Sequence, residues 1–151
     1  RACGPGGGSG GNGGSRVARV DYEKQGDDRA FLILDAAMND LIRPTLYDAF
    51  HEIRAVAEPA GDAEQAVYDV VGPVCETGDF LARGRRLPRL QSGDLVAIMS
   101  AGAYGAVQAS TYNTRPLVPE VMVRGDVFQE VRARPSYDAM LKQDIIPAWL
   151  D

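Results

Sequence analysis

Short apolar runs, each closed by turn-forming residues, constrain this chain most. Residues 17–23 alternate, with Val20 and Tyr22 set against Arg19, Asp21 and Glu23, the pattern of a half-buried strand. Residues 30–34 are continuously apolar, as in a central strand, and residues 66–71 form another run that stops at Gly72-Pro73. Residues 95–99 follow a Ser92-Gly93-Asp94 turn, and residues 121–123 face 127–131 across Gly125-Asp126 as a hairpin. Regularly punctuated short strands predict a mainly β chain, a sandwich or barrel. The Arg124-Gly125-Asp126 triplet is explained by that turn and needs no adhesion role. Gln25-Gly26-Asp27-Asp28 and Ala60-Gly61-Asp62 read as further turns, residues 83–89 as a basic surface loop, and residues 107–112 as one more strand.

Helical signals are few. Pro44 suits the first position of a helix, with Leu46, Phe50 and Ile53 as its buried stripe. Arg43 and Tyr47 lie four apart and so share a face of that helix. Ser136 caps a short terminal helix with Asp138 in its first turn, and Pro147 ends it.

At 151 residues, 45% hydrophobic and 25% charged, the chain has the composition of one globular domain. A net charge of −5 argues against nucleic acid or an anionic membrane as partner. The apolar runs are too short to span a bilayer and no signal peptide is visible. The two cysteines, Cys3 and Cys75, make no disulfide framework, so a reducing cytoplasm is expected, and with a single His they make no zinc site. Residues 1–15 are glycine-rich and read as a tail or linker, with eight glycines from Gly4 to Gly14 opposing any helix there.

The chemistry concentrates just past Gly72-Pro73. Cys75, Glu76, Thr77 and Asp79 crowd into five positions at the end of a strand, where a loop aims side chains well. From spacing alone the alternative stands beside this: a packed Cys, and an Asp that caps its own turn. His51, the only histidine, reads as a helix-end or core-edge residue rather than a catalyst.

Gly72-Pro73-Val74-Cys75-Glu76-Thr77-Gly78-Asp79 resembles the Cys-Glu-[Ser/Thr]-Gly-Asp element of the diaminopimelate decarboxylases, pyridoxal-phosphate (PLP) enzymes of lysine biosynthesis. Asp35-Ala36-Ala37-Met38-Asn39-Asp40-Leu41-Ile42-Arg43-Pro44 before it resembles a second element of that family. Met99-Ser100-Ala101-Gly102-Ala103-Tyr104-Gly105 and Tyr112-Asn113-Thr114-Arg115-Pro116 after it fit two more. The resemblance runs from about Val17 to the C-terminal end. It implies the C-terminal β-domain of the fold-type III PLP decarboxylases over residues 17–151, with residues 1–16 a degenerate remnant of the preceding phosphate-loop region or a linker. Gly4-Pro5-Gly6-Gly7 stands where the family has Glu-Pro-Gly-Arg, so the Glu and the substrate-contacting Arg are replaced by Gly4 and Gly7. Gly11-Asn12-Gly13-Gly14 stands where it has Gly-Asn-Ala-Gly.

The resemblance also assigns roles. Cys75 is the implied proton donor, acting across a homodimer interface in the partner's active site, and Glu76 holds the distal ammonium of the substrate. Arg43 takes the distal carboxylate with its planar fork, Tyr47 adds a hydroxyl, and Tyr104 reaches substrate and the cofactor phosphate or ring. Asp79 is structural. Relatives acting on ornithine or arginine have Cys-Asp at this place, so Cys75-Glu76 points to meso-2,6-diaminopimelate as the small-molecule substrate and L-lysine as product. The family's N-terminal (β/α)8 barrel, which carries the cofactor lysine, has no counterpart here, and neither Lys24 nor Lys142 sits in a similar motif. The chain alone is therefore expected to hold no PLP covalently, to be inactive, and to expose apolar surface. Rival readings are a non-catalytic β-domain that binds a decarboxylase subunit, and a decarboxylase for another basic amino acid.

Overall fold

A computed structural model describes residues 12–27, 29–58 and 61–150. The chain divides into two compact units, one ending at Ala109 and one beginning at Ser110.

The first unit is a six-stranded sheet. Its strands are β1 (Arg16–Gln25), β2 (Ala30–Leu34), β3 (Ile53–Ala55), β4 (Gln65–Val71), β5 (Phe80–Pro88) and β6 (Leu95–Ile98), ordered β3-β6-β1-β2-β4-β5. The two outer strands β3 and β5 approach each other, so the sheet is nearly closed into a barrel. Pairing is antiparallel except for β2 with β4, which run parallel. That parallel pair sends the ends of both strands to the same side, where the loop after β2 meets the turn after β4. Inside lies one apolar core: Val20, Leu32, Leu34, Tyr68, Val96 and Ile98 are all fully buried.

Several expectations are corrected. Val20 is buried but Tyr22 is exposed, because the pairing of β1 with β2 shifts between them and the bulge breaks the alternation. The buried helical stripe does not form. α1 covers only Arg43–Tyr47, since Asp48 turns left-handed at φ 52°, leaving Leu46 and Phe50 exposed and Ile53 in β3. The helix does start here, but with Arg43 in the first position and Pro44 in the second. Residues 83–88 are strand, not loop. β5 is an outer strand that tolerates arginines because two of them lie on rings, Arg83 over Phe80 at 3.7 Å and Arg85 over Phe50 at 4.0 Å. Residues 107–112 contain no strand: α2 (Gly105–Gln108) is followed by a 3-10 turn at Tyr112–Thr114. The Gly-rich residues up to Gly11, Asp28 and Ala60 lie outside the described residues.

The second unit holds a hairpin of β7 (Glu120–Arg124) and β8 (Val127–Arg132), turned at Gly125 with φ 63°, as the sequence predicts. α3 (Tyr137–Leu141) starts where Ser136 Oγ accepts from Ala139 N at 3.1 Å, and it ends at Lys142, well before Pro147. Among the described residues no helix is long and apolar enough to cross a membrane.

Candidate functional site

Two loops meet at one end of the barrel-like sheet. The loop after β2 is folded by its own acids: Asp35 Oδ1 accepts from Arg19 N at 2.8 Å, and Asp40 Oδ2 accepts from Ala37 N at 3.0 Å while pairing with Arg16 at 3.3 Å. Asp40 is buried, so its charge is compensated where desolvation is costly. This loop delivers the buried Pro44 and with it α1, whose Arg43 is half-buried and whose Tyr47 is exposed.

The turn after β4 carries Cys75 and Glu76, both exposed. Its hairpin closes by Gly72 N donating to Asp79 O and Asp79 N donating to Glu76 O. The buried Asp79 carboxylate does more: Oδ2 accepts from Val74 N at 2.6 Å and Oδ1 from Met38 N at 2.7 Å, in the loop after β2. A second tie joins α1 to the turn, with Thr45 Oγ1 donating to Gly78 O. Contact there is close enough that a Cβ on Gly78 would lie 2.8 Å from Thr45 Cγ2.

Tyr104 comes from the turn after β6. Its φ of 63° is left-handed, an outlier for a bulky side chain that marks a constrained position. Residues 12–15 run beside this turn: Ala101 N donates to Gly14 O at 2.8 Å, and a Cβ on Gly14 would lie 2.5 Å from Gly102 Cα. Only glycine fits that approach. Buried His51 secures the other side. Its Nδ1 meets Met99 O at 3.0 Å, so Nδ1 carries the proton, and Nε2 lies buried without a partner among the described residues. His51 is thus a core-edge residue that anchors the start of the Tyr104 turn.

These turns converge on Arg43. Its guanidinium carbon lies 5.9 Å from the Tyr47 ring centre and 5.7 Å from that of Tyr104. Two rings around one guanidinium restrict its rotation and lower the entropy lost when its fork pairs with a carboxylate. Of the five residues predicted from sequence, Arg43, Tyr47 and Tyr104 are brought into one cluster, and Cys75 and Glu76 are joined to it through Thr45. Glu76 also borders an open groove of about 460 Å³ with Arg29, Phe31, Asp69 and Arg83, which Cys75 does not line. Asp69 in that groove is pulled both ways. Burial pushes its carboxyl up, but bonds from Arg29 at 2.7 Å and Gly84 N at 2.8 Å outweigh this and leave it below the ordinary range.

Comparison with known proteins shows the family and the fold. Residues 12–102 match the family described as pyridoxal-dependent decarboxylase, C-terminal sheet domain. This chain belongs to that family. A diaminopimelate decarboxylase of Zymomonas mobilis is 52% identical over 139 residues, covering 92% of this chain and 32% of the relative. Two solved diaminopimelate decarboxylases share the fold. That of M. jannaschii, in co-complex with L-lysine, has a TM-score of 0.86 at 31% identity, covering 93% of this chain and 32% of that one. That of Helicobacter pylori, complexed with L-lysine, has a TM-score of 0.81 at 39% identity, covering 88% and 32%. The chain therefore spans about a third of the length of its relatives and corresponds to their C-terminal part.

The family uses PLP. The backbone of Gly102, next to the partly exposed Tyr104, is closely met by Gly14 of this same chain. Lys24 is on β1 and Lys142 follows α3, so neither lies on the turns that form the site.

Proposed function

We propose that residues 17–151 are the C-terminal domain of a cytoplasmic, homodimeric diaminopimelate decarboxylase that converts meso-2,6-diaminopimelate to L-lysine and CO2. The N-terminal (β/α)8 barrel of such an enzyme supplies the PLP lysine, and the two subunits share each site across their interface. What supports this best is the Arg43–Tyr47–Tyr104 cluster tied through Thr45 to the Cys75–Glu76 turn. The fork of Arg43 takes the substrate's distal carboxylate, with the Tyr47 hydroxyl beside it. Glu76 takes the distal ammonium, a charge-assisted bond. The tyrosine ring of Tyr104 stands against cofactor and substrate.

In the complete enzyme, bound PLP would supply an electron sink for the pair left as the bond to CO2 breaks. The Cys75 thiol gives its proton to that carbon, and the thiolate regains one from solvent. Exposure of Cys75 on a rigid turn suits delivery into a partner's site. Without a lysine on these turns, the chain alone is inactive.

The test is a fusion in which this chain replaces the C-terminal third of the Zymomonas mobilis relative. Decarboxylation of diaminopimelate is expected, and Glu76→Gln should raise its KM at least about tenfold, roughly 1.4 kcal/mol. An unchanged KM removes Glu76 from the site. A fusion that folds and binds PLP yet does not turn over points instead to a non-catalytic binding domain. Preference for ornithine or arginine points to another basic amino acid.

A further inference from the structure

We infer that Asp79 is a positioning residue: its one carboxylate fixes where the Cys75–Glu76 turn stands relative to the loop that carries Arg43. The assignment rests on the function proposed above and deepens it. A carboxylate that only capped its own turn would spend both oxygens within residues 72–80. Here one oxygen serves that turn, through Val74 N at 2.6 Å, and the other crosses to Met38 N at 2.7 Å, in a loop 41 residues away in sequence. Both bonds are short, and Asp79 is only 5% exposed, so water does not readily substitute for either amide.

The carboxylate is also boxed in. A Cβ on Gly72 would lie 2.5 and 2.6 Å from the two Asp79 oxygens and 2.7 Å from Ala36 O. Glycine at 72 therefore lets β4 end directly under the carboxylate, with the loop after β2 on its other side. A longer acid cannot enter the same space. Thr45 adds a second point of attachment, donating to Gly78 O, and two points fix an orientation where one would leave a pivot. In the function proposed above, Cys75 acts across the subunit interface, so the turn that carries it and Glu76 must hold a fixed place on its own chain. That place, against the loop of Arg43, is set by Asp79, which touches no substrate itself.

Asp79→Asn keeps the shape but turns one acceptor into an amide donor, which cannot accept from Met38 N and Val74 N together. Amide hydrogen exchange on the 151-residue chain reads this without any reference to activity. At least about a tenfold loss of protection is expected at Met38 or Val74, with Leu32 and Val70 unchanged. Unchanged exchange at both amides overturns the proposal. So does an equal loss at all four, which assigns Asp79 to general stability. Thr45→Val, a milder variant, should leave Met38 and Val74 protected, and loss of protection there would show that Thr45 rather than Asp79 is the joint. In the fusion enzyme, Asp79→Asn should raise KM for diaminopimelate and lower kcat, each about tenfold, at unchanged PLP content. Less folded enzyme would lower kcat alone, and that result also overturns the proposal. A parent fusion with no activity would count against the proposed function, while the exchange experiment still decides the joint.

Discussion

The two units of this chain solve the problem of burying apolar side chains very differently. In the first, nine large side chains among the described residues, from Val20 to Ile98, are fully removed from water. In the second, Val123, Phe128, Leu141, Ile146 and Trp149 are all more than 60% exposed, and both faces of the β7–β8 hairpin are open. An isolated two-stranded hairpin is marginal in water, and apolar surface of this extent ordinarily meets a protein partner. The contrast teaches that one set of apolar residues builds a fold, whereas the other is left open to water in this chain. It agrees with a chain that spans only a third of its relatives.

Amide exchange should reveal this contrast most strongly. Amides of Leu32 and Val70, paired in the sheet interior, should exchange at least about a thousandfold more slowly than those of Met122 and Phe128, as expected when opening the core approaches global unfolding at several kcal/mol. Comparable protection in hairpin and sheet would break the distinction.

Substitution sharpens the same comparison. Leu32→Ala empties a fully buried site and should cost about 2–5 kcal/mol in urea unfolding. Phe128→Ala removes a larger side chain that is 77% exposed, and it should shift stability by no more than about 0.5 kcal/mol. A cost for Phe128 approaching that for Leu32 would mean that the hairpin face is covered in solution.

Much of the first unit was legible in sequence because period and punctuation carry local information. The runs that became β1, β2, β4 and β6 announce themselves by apolar pattern and closing turns. β5 does not, since Arg83, Arg85 and Arg86 mask a strand whose charges sit at an edge, with the guanidinium groups of Arg83 and Arg85 over Phe80 and Phe50. Nor does β3, three residues long and defined only by its pairing with β6. Residues 43–53 have a helical spacing that Asp48 interrupts after barely more than one turn, and nothing in the periodicity signals a left-handed residue there.

The candidate site is proposed from its motifs, which name Arg43, Tyr47, Cys75, Glu76 and Tyr104 but say nothing of what holds them. Met38 to Asp79 and His51 to Met99 are bonds across 41 and 48 residues, invisible to any local pattern. Thr45 carried a faint clue, a hydroxyl one place after a helix-starting proline, but its acceptor lies 33 residues on. Residues that do chemistry are recognised by type and spacing, whereas those that position them are chosen by the fold.

Ion pairs offer the smallest test of the two-unit contrast. The Asp69 side chain is 11% exposed and bonds Arg29 at 2.7 Å, whereas Glu120 of the second unit is 38% exposed and pairs with Arg132 at 3.1 Å. Burial raises the Asp69 pKa, but Arg29 and Gly84 N lower it further, so the folded value lies below the unfolded one of about 3.9. Its stabilising contribution is therefore fully present above pH 4 and is lost as pH falls through the lower folded value. Arg29 is 59% exposed, which screens the pair and limits the effect to under about 1 kcal/mol. Asp69→Asn should be less stable than the parent at pH 7 by that amount, with the gap closing as pH falls below about 4 through the lower folded value and Asp69 itself becomes neutral. Glu120→Gln should differ from the parent by no more than a few tenths of a kcal/mol at either pH, as exposed pairs do. A gap for Asp69→Asn that stays constant as pH falls until Asp69 is protonated in the folded protein would mean that the ionised carboxylate contributes nothing, and the strand end beside the Cys75 turn would then be held by packing and neutral hydrogen bonds alone.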